Sequence, residues 1–279
     1  MQQYYLLGGN VSGSPSPLMM NSAFKAIGID ASYAALSLER SDFRERFLSL
    51  KRETAGMNVT IPFKSEVIPL LDELDPISRK IGAVNVTKAS AERCLGFNTD
   101  VSGIVLPLKG QVGTSGVRHA LLVGAGGAAR AFCEAMSQMG CPKITVAVRD
   151  REKGKSFVEE TSVIFPEIQF EAEAIDSLSS IRAGLIEVIF NATPIGSRGI
   201  PLPEGIKRVI YGTEIVFDAV YRPMETELLK FAKEKGCRII HGYEMLLNQG
   251  TAAFEIWTGK QAPVATMKQA LMSSLGVAA

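Results

Sequence analysis

The chain lacks the residues that several functional classes depend on. Its 279 residues contain two histidines, His119 and His241, and four scattered cysteines, Cys94, Cys133, Cys141 and Cys237, with no Cys-x-x-Cys pair. A tetrahedral zinc centre draws on clustered Cys and His, so no metal site is expected. The cysteines read as small hydrophobes of a reducing compartment rather than as catalytic thiols. A surplus of one charge is missing too: 30 Lys and Arg stand against 29 Asp and Glu, a net charge of +1. Nucleic acids and anionic membranes select for a concentrated basic surface, so neither is an expected partner. No uncharged apolar run is long enough to span a bilayer. Gln2 and Gln3 lead straight into Tyr4 to Leu7, without the basic start and apolar core of a secretory signal. With 46% hydrophobic and 21% charged residues, the chain suits two modest globular domains and a small-molecule ligand in the cytoplasm.

What is present is an alternation of strand-like and helix-like stretches, the α/β pattern. Strands are expected at Tyr4 to Leu7, Ser32 to Leu36 and Met57 to Thr60. Helices are expected from about Pro17 to Ile27, Phe43 to Leu50 and Phe63 to Leu71. A hairpin-like pair, Ala83 to Thr87 and Arg93 to Phe97, follows. Lys109 to Gly116 is rich in glycine and reads as a loop. Beyond it come strands at His119 to Val123, Lys143 to Val148, Val188 to Asn191, Ile215 to Ala219 and Arg238 to His241. Helices are expected up to Met139 and at Glu225 to Lys235, so a parallel sheet continues past residue 200. The tail carries Leu246, Leu247, Gly250, Phe254 and Trp257 at helical spacing, and Pro263 to Leu275 reads as a second helix. Both need an apolar surface to cover. The expected architecture is an α/β substrate domain, residues 1–103 completed by 242–279, and a doubly wound Rossmann-type domain, residues 104–241, with the active cleft between them.

Gly124-Ala125-Gly126-Gly127-Ala128-Ala129 follows one strand, opens a helix and is closed by another strand. Gly124 permits a tight turn, Gly126 lets the backbone approach a pyrophosphate, and Ala129 allows close helix–strand packing. The helix start offers free N–H groups to phosphates. In that setting dinucleotide binding is expected in preference to a structural turn. After the next strand come Arg149, Asp150, Arg151, Glu152 and Lys153. The basic residues favour the 2′-phosphate of NADP, whereas Asp150 would suit the ribose diol of NAD. A mixed-charge solvated helix start is the plainer alternative for Arg151 and Lys153.

The first hundred residues hold a different set: Ser14-Pro15-Ser16-Pro17, Asn58 to Lys64, Asn85, and Asn98-Thr99-Asp100. Each falls near a strand end, where ligands of open α/β sheets collect. Hydroxyl, amide, ammonium and carboxylate groups could there converge on one polar molecule. Singly, Ser-Pro and Asn-Thr-Asp are turn and cap formers, and Lys64 would be a surface lysine at a helix start.

Taken together, and over almost the whole chain, these motifs resemble the shikimate dehydrogenase family. Its Ser-x-Ser-Pro stretch is met at Ser14 to Pro17, its Asn-Val-Thr-x-Pro-x-Lys at Asn58 to Lys64, its Gly-Ala-Val-Asn at Gly82 to Asn85 and its Asn-Thr-Asp at Asn98 to Asp100. Asn191-Ala192-Thr193-Pro194, Val220-Tyr221-Arg222-Pro223 and the Gly242, Met245, Leu246, Gln249 pattern agree as well. The resemblance implies an NADP-dependent oxidoreductase interconverting 3-dehydroshikimate and shikimate, on the route to chorismate and the aromatic amino acids. It implies that Ser14 and Ser16 hold the substrate carboxylate. Thr60, Asn85, Asp100, Tyr221 and Gln249 would surround the substrate's polar groups, and Lys64, with Asp100, would be the acid/base centre. Gly124, Ala125, Gly126, Gly127, Ala128, Arg149, Asp150, Lys153, Thr193, Ala219 and Gly242 would line the cofactor, NADP with NAD as the alternative. Gly13 stands where many members carry His, Val101 follows Asp100 where Gly is common, and Val148-Arg149-Asp150 replaces the Asn-Arg-Thr of NADP users. A quinate/shikimate dehydrogenase with NAD or dual cofactor use is the second expectation. A non-catalytic dinucleotide sensor is the third, although a sensor has no use for Lys64 and Asp100 together. A monomer or homodimer would serve either enzyme.

Overall fold

The computed structural model describes the chain except residues 91–92, 113–115, 181–183, 198 and 277–279. In chain order its elements are β1 (Gln2–Gly8), α1 (Ser16–Ala26), β2 (Ala31–Ser37), α2 (Phe43–Glu53), β3 (Gly56–Val59), β4 (Glu73–Leu74), α3 (Pro76–Ile81), β5 (Val86–Ser90), β6 (Arg93–Phe97) and α4 (Asp100–Gln111). There follow β7 (Ala120–Val123), α5 (Gly127–Gln138), β8 (Lys143–Val148), α6 (Arg151–Ile164), β9 (Gln169–Ala174), β10 (Val188–Asn191) and α7 (Glu204–Lys207). The last are β11 (Ile215–Asp218), α8 (Glu227–Glu234), β12 (Arg238–Ile240), α9 (Gly242–Thr258) and α10 (Val264–Ser274). They pack as two units, Met1–Asp100 with Leu247–Ala279, and Val101–Leu246. Among the described residues no helix is long and apolar enough to cross a membrane.

The first unit is a six-stranded mixed sheet in the order β2-β1-β3-β5-β6-β4. Alternation along β1 sends Leu7 to one face and Tyr4 to the other. Leu7 joins Phe43, Phe47 and Leu50 of α2 in one core, where Phe63 stacks on Phe43 with ring centroids 4.0 Å apart. Tyr4 meets Phe24 of α1 and Trp257 of α9, at 5.0 and 4.7 Å between centroids. The C-terminal helices therefore return to the first unit, as expected. Trp257 also donates its indole N–H to the Thr87 carbonyl at 2.8 Å. The approach is so close that a Cβ on Gly56 would lie 2.3 Å from that indole nitrogen, which explains the glycine in mid-sheet.

The second unit is an all-parallel sheet, β12-β11-β10-β7-β8-β9. The chain runs outward from β7 through β8 to β9, then crosses to β10 and runs the other way. This is the Rossmann order, with its switch point between β7 and β10. Ile189 faces a core that includes α8, while Phe190 points to the opposite side and stacks on Phe132 of α5 at 4.6 Å. Helices thus cover both faces, and continuous apolar strands such as Ala120–Val123 follow from that double burial.

Three local expectations are corrected. Residues 61–67 are turns followed by a single 3-10 turn, Ile68–Leu70, instead of a helix over 63–71. Pro69 lacks the N–H and its ring collides with the carbonyl four residues back, so the apolar spacing of Phe63, Val67 and Leu70 is realised without a helix. The first hairpin strand starts at Val86, because Val84 donates to the Lys64 carbonyl and Asn85 to the Phe97 carbonyl before the ladder begins. Finally, α4 runs through Lys109 and Gly110 to Gln111, where a loop was expected. Pro107 inside it hides the helical signal, and Gly113, Thr114 and Ser115 of that expected loop lie outside the described residues.

Candidate active site

β3 and β5 are antiparallel, as are β5 and β6, while β1 is parallel to β3. The residues after β1, after β3, before β5 and after β6 therefore come to one edge of the sheet. Those residues are Ser14 and Ser16, Thr60 to Lys64, Asn85, and Asn98 to Asp100. Asn98 builds the turn that presents Asp100: its amide donates to the Ala83 carbonyl at 2.9 Å and its oxygen accepts the Asp100 N–H at 3.0 Å. The Thr99 N–H donates to the Asn85 side-chain oxygen at 2.7 Å, leaving the Asn85 amide to donate to Asp100 Oδ1 at 3.0 Å and to Gln249 Oε1 at 3.4 Å. Lys64 Nζ meets the other Asp100 oxygen at 2.5 Å, with the lysine side chain 15% and the aspartate 6% exposed. Lys64 is thus neither a surface residue nor at a helix start.

Asn58 turns away from this set. Its oxygen accepts the Tyr33 hydroxyl at 2.7 Å and its amide donates to the Asn85 carbonyl at 3.1 Å, making it a strut behind Asn85. Burial pushes the Tyr33 phenol far up, so it stays a neutral donor. Ser14 and Ser16 share a hydrogen bond of 3.1 Å between their hydroxyls at the start of α1, a helix without a side-chain cap. Their hydroxyls suit a carboxylate. Thr60 donates its backbone N–H to the Leu7 carbonyl at 2.8 Å, which pins β3 beside β1 at the site's edge. Tyr221 belongs to the second unit, in the segment after β11.

At the switch point of the second unit a cavity of about 410 Å³ is lined by Gly124, Ala125, Arg149, Asp150, Lys153 and Thr193, among others. Gly124 has φ +103°, and a Cβ there would lie 2.5 Å from the Thr193 methyl. Gly126 caps α5 with no side-chain bond, so the first-turn N–H groups of that helix face no side chain of their own cap. Space remains above Gly126, where an added Cβ would meet nothing within 4 Å. A loop bare of side chains beside uncapped N–H groups fits a pyrophosphate. Arg149 is exposed at the cavity and has no hydrogen bond or ion pair among the described residues. Asp150 accepts the Glu152 and Lys153 N–H groups at 3.1 and 3.3 Å, capping α6. Gly127 and Ala128 open α5. Ala219 and Gly242 meet beyond β11, where a Cβ on Gly242 would lie 2.7 Å from the Ala219 carbonyl oxygen.

The orienting roles of Asn98 and Thr99 do not show in the sequence, nor does the place of Arg130, which lines the cavity and is ion-paired with Glu160. The first two sit inside the Asn-Thr-Asp motif, which is the signal that marks them. Arg130 lies one residue past the glycine loop's last small position, and nothing in its spacing distinguishes it. The cysteines take no part: burial pushes the thiols of Cys94, Cys141 and Cys237 up to about 11, away from the thiolate form.

Comparison with known proteins gives concordant matches along the chain. Residues 6–87 match the shikimate dehydrogenase substrate binding domain, residues 108–198 the shikimate/quinate 5-dehydrogenase family, and residues 242–272 the shikimate 5′-dehydrogenase C-terminal domain. The shikimate dehydrogenase (NADP+) of Archaeoglobus fulgidus is 38% identical over 275 residues, covering 97% of both chains. A crystal structure of a shikimate dehydrogenase in complex with NADP+ superposes with a TM-score of 0.89 at 32% identity, covering 99% of this chain and 96% of the other. The Thermus thermophilus shikimate 5-dehydrogenase in complex with NADP(H) and shikimate gives a TM-score of 0.83 at 30% identity, covering 98% of this chain and all (100%) of that one.

Proposed function

The chain belongs to the shikimate dehydrogenase family, and from that membership we propose that it reduces 3-dehydroshikimate to shikimate with NADPH, and catalyses the reverse oxidation. The observation that carries the reading is the buried Lys64–Asp100 pair, 2.5 Å apart and oriented by Asn85. The substrate binds to the first unit, Met1–Asp100 with Leu247–Ala279, and the dinucleotide to the second, Val101–Leu246. NADPH, when bound, supplies the hydride that converts the carbonyl carbon to a carbinol. The chain's own residues then handle one proton. In reduction the Lys64 ammonium donates from Nζ to the substrate oxygen as charge develops there; in oxidation neutral Lys64 takes the hydroxyl proton back. Asp100 holds the lysine at the reacting oxygen and compensates its charge. Asn85 keeps the carboxylate fixed, so little reorganisation accompanies the transfer.

Ser14 and Ser16 hold the substrate carboxylate through hydroxyl donors. Thr60, Tyr221 and Gln249 bind the remaining polar groups. Gly124 to Ala128 take the pyrophosphate, Thr193, Ala219 and Gly242 line the remainder of the cofactor site, and Arg149, free of internal partners, takes the 2′-phosphate with Lys153 beside it. Asp150 spends one oxygen on the cap of α6, which supports a neighbouring role and favours NADP over NAD. The site's proton-transfer groups all lie within one chain, so a monomer or a homodimer serves alike. Four free cysteines, three of them buried, suit the cytoplasm.

The test follows the absorbance of reduced nicotinamide while purified protein oxidises shikimate or quinate, each with NADP or NAD. Turnover mainly with shikimate and NADP is expected. Faster turnover with quinate or NAD would move the chain to the quinate/shikimate branch, and none with any pair would leave it a sensor.

A further inference from the structure

Asp218, the last residue of β11, is fully buried and lies outside every set described above. Its Oδ1 accepts the Asn191 amide at 3.0 Å and the Val220 N–H at 3.0 Å, and its Oδ2 accepts the Thr226 hydroxyl at 2.6 Å. Asn191, at the end of β10, is buried as well. Its amide has two hydrogens, and both are used, one on Asp218 and one on the Ile195 carbonyl at 3.1 Å. Its oxygen accepts from the Thr193 N–H at 3.1 Å and the Thr193 hydroxyl at 2.7 Å. The Thr193 hydroxyl oxygen in turn accepts the Ile195 N–H at 3.2 Å.

This chain of bonds has one direction, and the carboxylate sets it. An ionised carboxylate accepts and cannot donate, so Asn191 must present its NH₂ to Asp218 and its oxygen to Thr193. Thr193 must then donate its hydroxyl proton to Asn191 and keep a lone pair for Ile195. Reversing the Asn191 amide would set its oxygen against the carboxylate and its NH₂ against the Thr193 N–H. The turn fixed in this way, residues 191–195, supplies Thr193, Pro194 and Ile195 to the cavity wall, and places the Thr193 methyl against Gly124. Burial pushes the Asp218 carboxyl up to about 6, opposed by its bonds from Thr226, Val220 and Asn191, so the acceptor-only form still prevails at neutral pH.

We propose that Asp218 is a positioning residue for dinucleotide binding, acting through Asn191 on the Thr193 turn. The inference rests on the reading of that cavity as the NADP site. It is tested by calorimetric titration of NADP into wild-type protein and Asp218→Asn, without shikimate, alongside thermal melting and steady-state kinetics. The isosteric amide keeps the volume but leaves a single acceptor oxygen, so either Thr226 loses its acceptor or the Asn191 amide and the Val220 N–H meet an NH₂ group. NADP affinity is expected to fall about tenfold, the equivalent of one charged hydrogen bond. The KM for shikimate and the turnover at saturating NADP should stay within about twofold, a split that general destabilisation would not produce. Should Asp218→Asn fail to fold, Thr226→Val removes a donor to the same carboxylate, and Thr226→Ser should rescue NADP affinity. Unchanged NADP affinity, or equal losses for NADP and shikimate in step with a lowered melting temperature, would overturn the proposal. Wild-type protein that binds no NADP would instead sink the functional reading beneath it, and this inference with it.

Discussion

At the scale of single residues, the proposed chemistry turns on a buried ion pair whose members have different duties. Lys64→Ala removes the proton carrier, and turnover is expected to fall by about 10³-fold while the KM for shikimate moves only a few-fold. Asp100→Asn should lower turnover and raise the KM together. It also leaves the lysine charge, 15% exposed, without its partner, so the denaturation midpoint should fall by the equivalent of about 3 kcal/mol. Arg149→Ala should raise the KM for NADP at least about tenfold and leave the KM for NAD nearly unchanged, because only the former carries the 2′-phosphate that a guanidinium grips. That Lys64, Asp100 and Asn85 come together was legible in the sequence because each belongs to a short motif at a strand end, and the sheet brings those ends together. The duty of Asn58 was not, since the sequence cannot tell an asparagine that faces a ligand from one that braces a neighbouring carbonyl. Asp150 carries the same ambiguity, and its capping bonds become visible only when α6 is in place.

At the scale of elements, legibility followed burial. Strands buried on both faces, such as Lys143–Val148 and Val188–Asn191, have the bounds that their apolar runs suggest. Proline breaks the signal of two elements: Pro107 conceals α4, and Pro69 limits the turn after Lys64 to a single 3-10 stretch. β4 is two residues long and has no periodicity to read. The docking of α9 is the element-level feature with the sharpest consequence. Gly56→Ala would place a methyl 2.3 Å from the Trp257 indole nitrogen and 2.6 Å from the Thr87 carbonyl oxygen, so the helix or the strand must shift. A loss of about 1–3 kcal/mol in unfolding free energy is expected, read from chemical denaturation. Trp257→Phe should relieve the part of that clash made by the indole nitrogen but not the part made by the Thr87 carbonyl, so the double variant should lose somewhat less than the sum of the two single losses.

At the scale of the whole molecule, the first unit is completed by the chain's last segment, Leu247–Ala279. Tyr4 and Phe24 rest on Trp257 and Phe254, and Met19 lies against Gly250. A chain ending at Leu246 should therefore expose that face and lose the folded first unit, giving a protein with strong dye binding to exposed apolar surface and no shikimate turnover. The doubly wound unit, Val101–Leu246, keeps its own sheet and core and should still melt cooperatively. The central claim, however, is that this family member moves its proton through Lys64. The most direct test is steady-state oxidation of shikimate with NADP by wild-type protein and by Lys64→Ala, with turnover and KM determined separately. The account predicts a loss of about 10³-fold in turnover with the KM for shikimate held within a few-fold. A variant that keeps more than about a tenth of the wild-type turnover would contradict it, because general acid/base transfer contributes at least about a hundredfold.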